Sequence, residues 1–172
     1  MLSENLTNAL SEQVNAEYYS AYLYLAMSAA ADRLGLKGTA NWLFAQAQEE
    51  MAHGTHIYKY ILERGAVPSF GAIEKPPTAF TEISDIFEAA LAHEKKVTQS
   101  INALATFAMQ EFDHACYQFM IWFVNEQVEE EASATEILDK LRLIGENKGM
   151  LLTLDNELAA RVFVNPFSAK SK

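Results

Sequence analysis

The sequence predicts an all-α protein: a four-helix bundle with one long crossover and a short fifth C-terminal helix. Three observations predict it. Apolar residues recur at helical spacing through four long segments, no segment alternates with the two-residue period of a strand, and a single stretch rich in proline and glycine divides the four helices into two pairs. With 172 residues and 50% hydrophobic content, the chain suits one domain over residues 1–172 with a sizeable core.

The first helix is expected over residues 4–34, with Leu6, Leu10, Val14, Ala21 and Leu25 as its apolar stripe and Gly35 near its end. The second is expected over 39–65, after Gly38 and Thr39 and stopping at Gly65. Residues 66–81 contain Pro68, Gly71, Pro76 and Pro77, too much backbone restriction for a helix, and read as a connection. The third helix, 82–110, carries Ile83, Phe87, Leu91, Val97, Ile101 and Leu104 on one stripe. Asp113 caps the fourth, 113–145, whose stripe takes in Phe119, Phe123, Ala134, Ile137, Leu141 and Ile144. A short helix is expected over 149–161 before the tail. Short links make the first and second helices antiparallel, and likewise the third and fourth. A helix of about 27 residues is roughly 40 Å long, and about sixteen extended residues reach roughly 50 Å. The crossover can therefore run the length of the bundle and leave the second and third helices parallel.

Composition narrows the function classes. A formal net charge of -10 and a pI near 4.8 repel nucleic-acid phosphates and attract cations. Cys116 is the only cysteine, which excludes an internal disulfide and any multi-cysteine zinc or iron–sulfur site. The start lacks a basic region followed by an apolar run, and nothing approaches a membrane span, so a soluble cytoplasmic protein with no membrane partner is expected. Phe70, Phe80 and Phe163 fall outside the expected helical core and suggest further surfaces that cover them, as in a homo-oligomer.

Each long helix has an ionisable group in the middle of its apolar stripe. Glu17 lies between Val14 and Ala21, Glu50 between Leu43 and Ile57, Glu94 between Leu91 and Val97, and Gln127 and Glu130 between Phe123 and Ala134. Glu17 precedes Glu50 by 33 residues and Glu94 precedes Gln127 by 33, so the halves look like one helical hairpin used twice. His53 and Glu130 follow three residues after Glu50 and Gln127. Four buried carboxylates held together would each cost about several kcal/mol or take up a proton. Two divalent metal ions balance Glu17, Glu50, Glu94 and Glu130, with Glu50 able to bridge them, and hard oxygen ligands with one imidazole suit iron or manganese better than structural zinc. For each residue alone, a solvated or misplaced surface glutamate is the competing reading; the matched spacing favours the metal.

Glu17 in "NAEYYSAYLY", "AQEEMAH", Glu94 in "HEKKVTQ" and "WFVNEQVEEE" together resemble the non-haem bacterial ferritins, over essentially every helix. Ferritin-like carboxylate proteins carry one glutamate on each of two helices and Glu-x-x-His on the other two. The resemblance implies a hollow shell of about twenty-four subunits. Within it a di-iron ferroxidase centre would oxidise Fe(II) with oxygen or peroxide, and the product would be stored as a ferric mineral. It implies that Glu17, Glu50 and His53 hold the first iron and Glu50, Glu94 and Glu130 the second. Gln127-x-x-Glu130 departs from the symmetric pattern, so the second iron lacks a histidine and is held more weakly. Glu49, rotated about 100° from Glu50, joins Glu126, Glu129 and Glu130 in a third, weaker iron site implied by the resemblance. Tyr24, two turns from Glu17 on the same side, is a candidate electron or hydrogen-bond donor to the centre, with a core tyrosine bonded to a neighbour as the alternative. Trp122, His56, His93 and His114 are read as packing or surface residues.

Alternatives come from other classes. Bacterioferritin would hold haem through a methionine, and Met51 stands beside Glu50, but the Gln127-x-x-Glu130 departure argues against it and no haem is expected. A rubrerythrin-like peroxidase needs a cysteine-rich iron domain that Cys116 alone cannot make. A mini-ferritin that coats DNA lacks the short fifth helix suggested by "MLLTLDNELAAR". A metal-free structural bundle needs no buried carboxylates.

Overall fold

A computed structural model describes residues 1–168. Its five helices are α1 (Glu4–Arg33), α2 (Lys37–Glu63), α3 (Ile83–Gln110), α4 (His114–Ile144) and α5 (Lys148–Leu158), and no strand occurs among the described residues. Local capping explains most starts. Ser3 Oγ accepts from Leu6 N–H, Asp113 accepts from Cys116 N–H, and Asn147 accepts from Gly149 and Met150 N–H. Positive φ at Gly35 (83°) and Gly65 (74°) turns the chain out of α1 and α2.

Most helix boundaries differ from the sequence expectation by one or two residues, and the start of the second helix and the end of the fifth are set by distant contacts. The second helix begins at Lys37 rather than residue 39, although Leu36 supplies no side-chain cap. Its free N–H groups are met from far away: the buried carboxylate of Asp155 in α5 accepts from Gly38 N at 3.0 Å, Thr39 N at 2.7 Å and Thr39 Oγ1 at 2.8 Å. The fifth helix stops at Leu158 rather than 161: the chain turns at Ala159 and Ala160, and Asn41 Nδ2 donates to the carbonyls of both Ala159 and Arg161 and ties it to α2.

Side-chain pairs fix the directions. Gln13 meets Ser100 and Ser20 meets His93, so α1 and α3 are antiparallel. Gln46 meets Glu130, His53 packs on Phe123 and Arg64 pairs with Asp113, so α2 and α4 are antiparallel. With α3 and α4 joined by a tight link, α2 and α3 run parallel. The crossover lies alongside α1 from end to end: Ser69 N–H donates to Ser11 Oγ, Asn15 donates to the Ala72 carbonyl and Arg33 to the Phe80 carbonyl. Phe80, expected outside the core, is buried in it, because the crossover folds back onto the bundle before α3. Phe70 is exposed and Phe163 half-buried.

The core is split into two apolar halves. One gathers Leu23, Met27, Leu43, Phe87, Ile137 and Leu154; the other gathers Leu6, Leu10, Ile57, Ile61, Ile101, Met120 and Phe123. Leu25 does not join the buried stripe and is 40% exposed; Tyr24 and Met27 are buried instead. Each step of four residues advances about 40° around the helix, so Leu25 lies about 100° from Leu6, off the buried face. Between the two halves lies a layer of buried polar side chains, and that layer carries the site.

Candidate metal centre

Midway along the bundle, all four long helices turn polar residues inward. Gln13, Glu17 and Ser20 come from α1, Gln46, Glu50 and His53 from α2, Glu94 from α3, and Gln127 and Glu130 from α4; all are buried. Spacings of three and four residues place them in successive turns of one face, where the apolar halves on either side close off water. Glu17, Glu50 and His53 each offer a ligand atom within 4.8 Å of the others, and His53 Nδ1 lies 3.4 Å from Glu50 Oε2. Glu130 is linked to this group by Gln46, whose Nε2 donates to Glu50 Oε1 at 2.8 Å and Glu130 Oε2 at 2.9 Å. Glu94 accepts from the Tyr24 hydroxyl and, at 3.2 Å, from Gln127 Nε2.

The donors around the carboxylates are amides, a phenol and the His53 imidazole, and no lysine or arginine is buried among the described residues. Burial therefore pushes the carboxyls of Glu17 and Glu130 well above the usual range, helped by the charge of Glu50, and carries Glu94 up to about 7. Burial acts upward on Glu50 as well, but the hydrogen bond and charge of His53 outweigh it and hold Glu50 below its ordinary value. Burial pulls His53 down, yet Glu50 first and Glu17 and Glu130 after it carry the imidazole up to about 10. One anion is thus matched by one imidazolium, while the remaining carboxyls are biased toward their neutral form. Glu17 Oε2 and His53 Nε2, both buried, have no hydrogen-bond partner. A cation that displaced protons from Glu17, Glu50 and the His53 Nδ1 that faces Glu50 would satisfy Glu17 Oε2, and hard oxygens with a single imidazole fit Fe(II); His53 Nε2 stays open.

Gln13 and Gln46 escaped the sequence reading. Gln13 Nε2 donates to Glu17 Oε1 at 2.8 Å, so each glutamine steadies the glutamate four residues after it. The signal was present, since Gln13 and Gln46 are themselves 33 residues apart, the spacing of Glu17 and Glu50. Gln127 acts as a donor that positions Glu94. Trp122 packs edge-on against His53, ring centroids 5.5 Å apart, and fixes the plane of the imidazole. Tyr24→Phe removes the donor to Glu94 and is expected to lower the midpoint of thermal unfolding of the metal-free protein by about 2–4 °C, the effect of one lost buried hydrogen bond. Calorimetry on the wild type and variant measures it.

A second, shallower group lies beside the first. Glu49, His53 and Glu126 offer ligand atoms within 4.8 Å of one another. Glu130 stays in the buried layer, and Glu129 is exposed and outside this grouping, though its charge reaches Glu126. Arg161, unread in the sequence, extends its Nη2 to within 2.6 Å of Glu49 Oε2.

Comparison with known proteins bears on the family and the fold. The family model for a ferritin-like domain matches residues 7–144. The bacterial non-heme ferritins of Staphylococcus aureus (strain USA300) and Staphylococcus saprophyticus are 40% and 43% identical over 163 residues, 95% of this chain and 98% of each of theirs. Among solved structures, the open pore ferritin of the hyperthermophilic archaeon Archaeoglobus fulgidus is 48% identical with a TM-score of 0.92, covering 94% of this chain and 99% of that one. Its engineered closed form matches with a TM-score of 0.94 over 95% and 100% of the two chains. The non-heme relatives give the haem-bearing alternative no support. The chain belongs to the ferritin family of iron-storage proteins.

Proposed function

We propose that this ferritin is a ferroxidase that oxidises Fe(II) with oxygen or peroxide and stores the ferric product inside a closed homo-oligomeric shell of about twenty-four subunits. The observation that carries the reading is the buried layer in which Glu17, Glu50 and His53 converge, His53 Nδ1 facing Glu50 and Glu17 Oε2 unpartnered. Fe(II) is the substrate. Glu17, Glu50 and His53 hold the first ion; Glu50 reaches toward Glu94 and Glu130, which hold the second. Each Fe(II) gives one electron to the oxidant. Gln13, Gln46, Gln127 and Tyr24 keep the carboxylates aimed inward, and the apolar halves of the core exclude bulk water. Glu49 and Glu126, with Glu129 and Glu130 alongside, form a third and weaker site that passes iron between the centre and the shell interior. Apolar side chains left exposed on the single chain, among them Phe44, Met51, Phe112 and Leu143, support burial against neighbouring copies. No helix among the described residues is long and apolar enough to cross a membrane, in keeping with a cytoplasmic location.

The test is iron loading of the purified protein in air, followed by metal analysis, absorption spectroscopy and sedimentation. The expected product is a large particle that retains iron as ferric mineral and shows no Soret band. A particle that takes up no iron would refute storage, a Soret band would favour the haem-bearing alternative, and a monomer at all salt concentrations would refute the shell.

A further inference from the structure

After α5 the chain does not leave the bundle. Residues 159–167 run along α2 as an arm that turns at both ends, anchored at three points. Asn41 holds the carbonyls of Ala159 and Arg161; the Arg161 guanidinium lies over the Trp42 ring at 4.2 Å and reaches Glu49; and Phe167 stacks on His56 at 3.7 Å with its edge against Trp122 at 4.6 Å. Between the anchors the arm is not closely packed, and a groove of about 780 Å³ remains between α2 and Phe163, Asn165 and Phe167. The arm is therefore held by its anchors rather than by continuous burial.

The central anchor sits on the shallower carboxylate group. Glu49 lies with Glu126 and His53, and Arg161 is the cation already seated there. The seating is incomplete: Arg161 Nη1 is buried without a partner, and so is Nε2 of the buried His53. A guanidinium brings one positive charge and donor groups only, whereas a divalent ion brings two charges and can take ligands from Glu49, Glu126 and, once its proton has passed to solvent, His53 Nε2 together.

We propose that Arg161 is a latch: it occupies Glu49 in place of a metal ion, and a divalent ion entering between Glu49, Glu126 and His53 displaces it and frees the middle of the arm. The latch rests on the third site proposed above and adds its regulation. Arg161 acts as a positioning residue that raises the concentration of free metal needed to fill this site, so the inner pair fills first. Displacing the guanidinium also uncovers Trp42, which gives the event an optical signature.

The assembled protein is titrated with Zn(II), a divalent ion without redox chemistry, followed by calorimetry and by intrinsic tryptophan fluorescence. The wild type should show tight binding at the inner ligands and then a weaker event accompanied by a fluorescence change. Arg161→Gln should strengthen the weaker event about tenfold, the range expected for loss of a competing, partly buried ion pair, and abolish the fluorescence change because no guanidinium covers Trp42. Arg161→Lys keeps the charge but loses the planar stack on Trp42, and should fall between the two. Glu126→Gln should remove the weaker event alone. An unchanged weaker event in Arg161→Gln, or a fluorescence change that survives in it, overturns the latch while leaving the ferroxidase reading intact. A weaker event missing from all variants also overturns the latch, and a missing tight event overturns the inner site itself.

Discussion

Glu50→Ala is expected to slow rapid Fe(II) oxidation by at least about a hundredfold, the scale on which loss of a ligand shared by two ions acts, while the shell still assembles. Glu50 is the one carboxylate that touches both halves of the layer: it pairs with His53 at 3.4 Å, shares Gln46 with Glu130 and shares a ligand cluster with Glu17. No other residue can replace it between Glu17 and Glu94. In the metal-free protein its loss is nearly compensated. Its charge raises the carboxyls of Glu17, Glu94 and Glu130, so removal relieves three repulsions. Against that, His53 loses its main partner, while Gln46 keeps Glu130. Alanine also raises helix propensity by a few tenths of a kcal/mol. The thermal midpoint should therefore move by no more than about 3 °C, roughly 1 kcal/mol at this chain length. Stopped-flow absorbance after mixing with Fe(II) in air reads the rate, and sedimentation reads assembly. A variant that assembles and oxidises iron at the wild-type rate would show that the paired glutamates are not the ferroxidase centre.

The parts of this molecule that were legible in the sequence are those governed by local periodicity. Glu17, Glu50, Glu94 and Glu130 stood out because each broke an apolar stripe, and a charge on a face destined for burial demands a partner. The crossover was legible because four prolines and glycines forbid a helix. Gln13 and Gln46 passed unnoticed because a neutral amide on a stripe resembles an ordinary surface residue until its glutamate four positions on is known to be buried. The contacts that set the start of α2 and the path of the arm were illegible for a different reason. Asp155 caps residues 116 and 117 positions away, and Arg161 meets Glu49 across 112 positions. No pattern within a helix encodes such pairs; they follow from where the short fifth helix docks. Glu49 shows the limit well. Its rotation away from Glu50 was readable, but its ion pair with Arg161 was not.

Gly38→Ala should be among the most destabilising single-methyl changes in the chain, lowering the thermal midpoint by about 6–12 °C, equivalent to roughly 3 kcal/mol. A Cβ built on Gly38 would lie 1.7 Å from the carbonyl oxygen of Asp155 and 2.6 Å from its carbon, both backbone atoms of α5 that no rotamer change can move. The fifth helix must shift away, and the shift breaks the cap on α2. Asp155 then loses Gly38 N–H, Thr39 N–H and the Thr39 hydroxyl together, and α2 has no side chain of its own to cover those groups. Leu154 and Leu158 leave the apolar half of the core that they help to fill. Because the arm begins where α5 ends, Asn41 and Glu49 lose their partners at Ala159 and Arg161 in the same step. Asp155→Asn is the graded control: it keeps the shape of the side chain but loses the charge at the helix N-terminus, and should cost about 1–2 kcal/mol. The two changes act on one lock, so the double variant should be less destabilised than the sum of the singles. Calorimetry of the four proteins measures the cycle. A Gly38→Ala protein that melts within about 1 °C of wild type, or a double variant whose losses simply add, would mean that α5 docks by its apolar face alone and that the Asp155 cap is incidental.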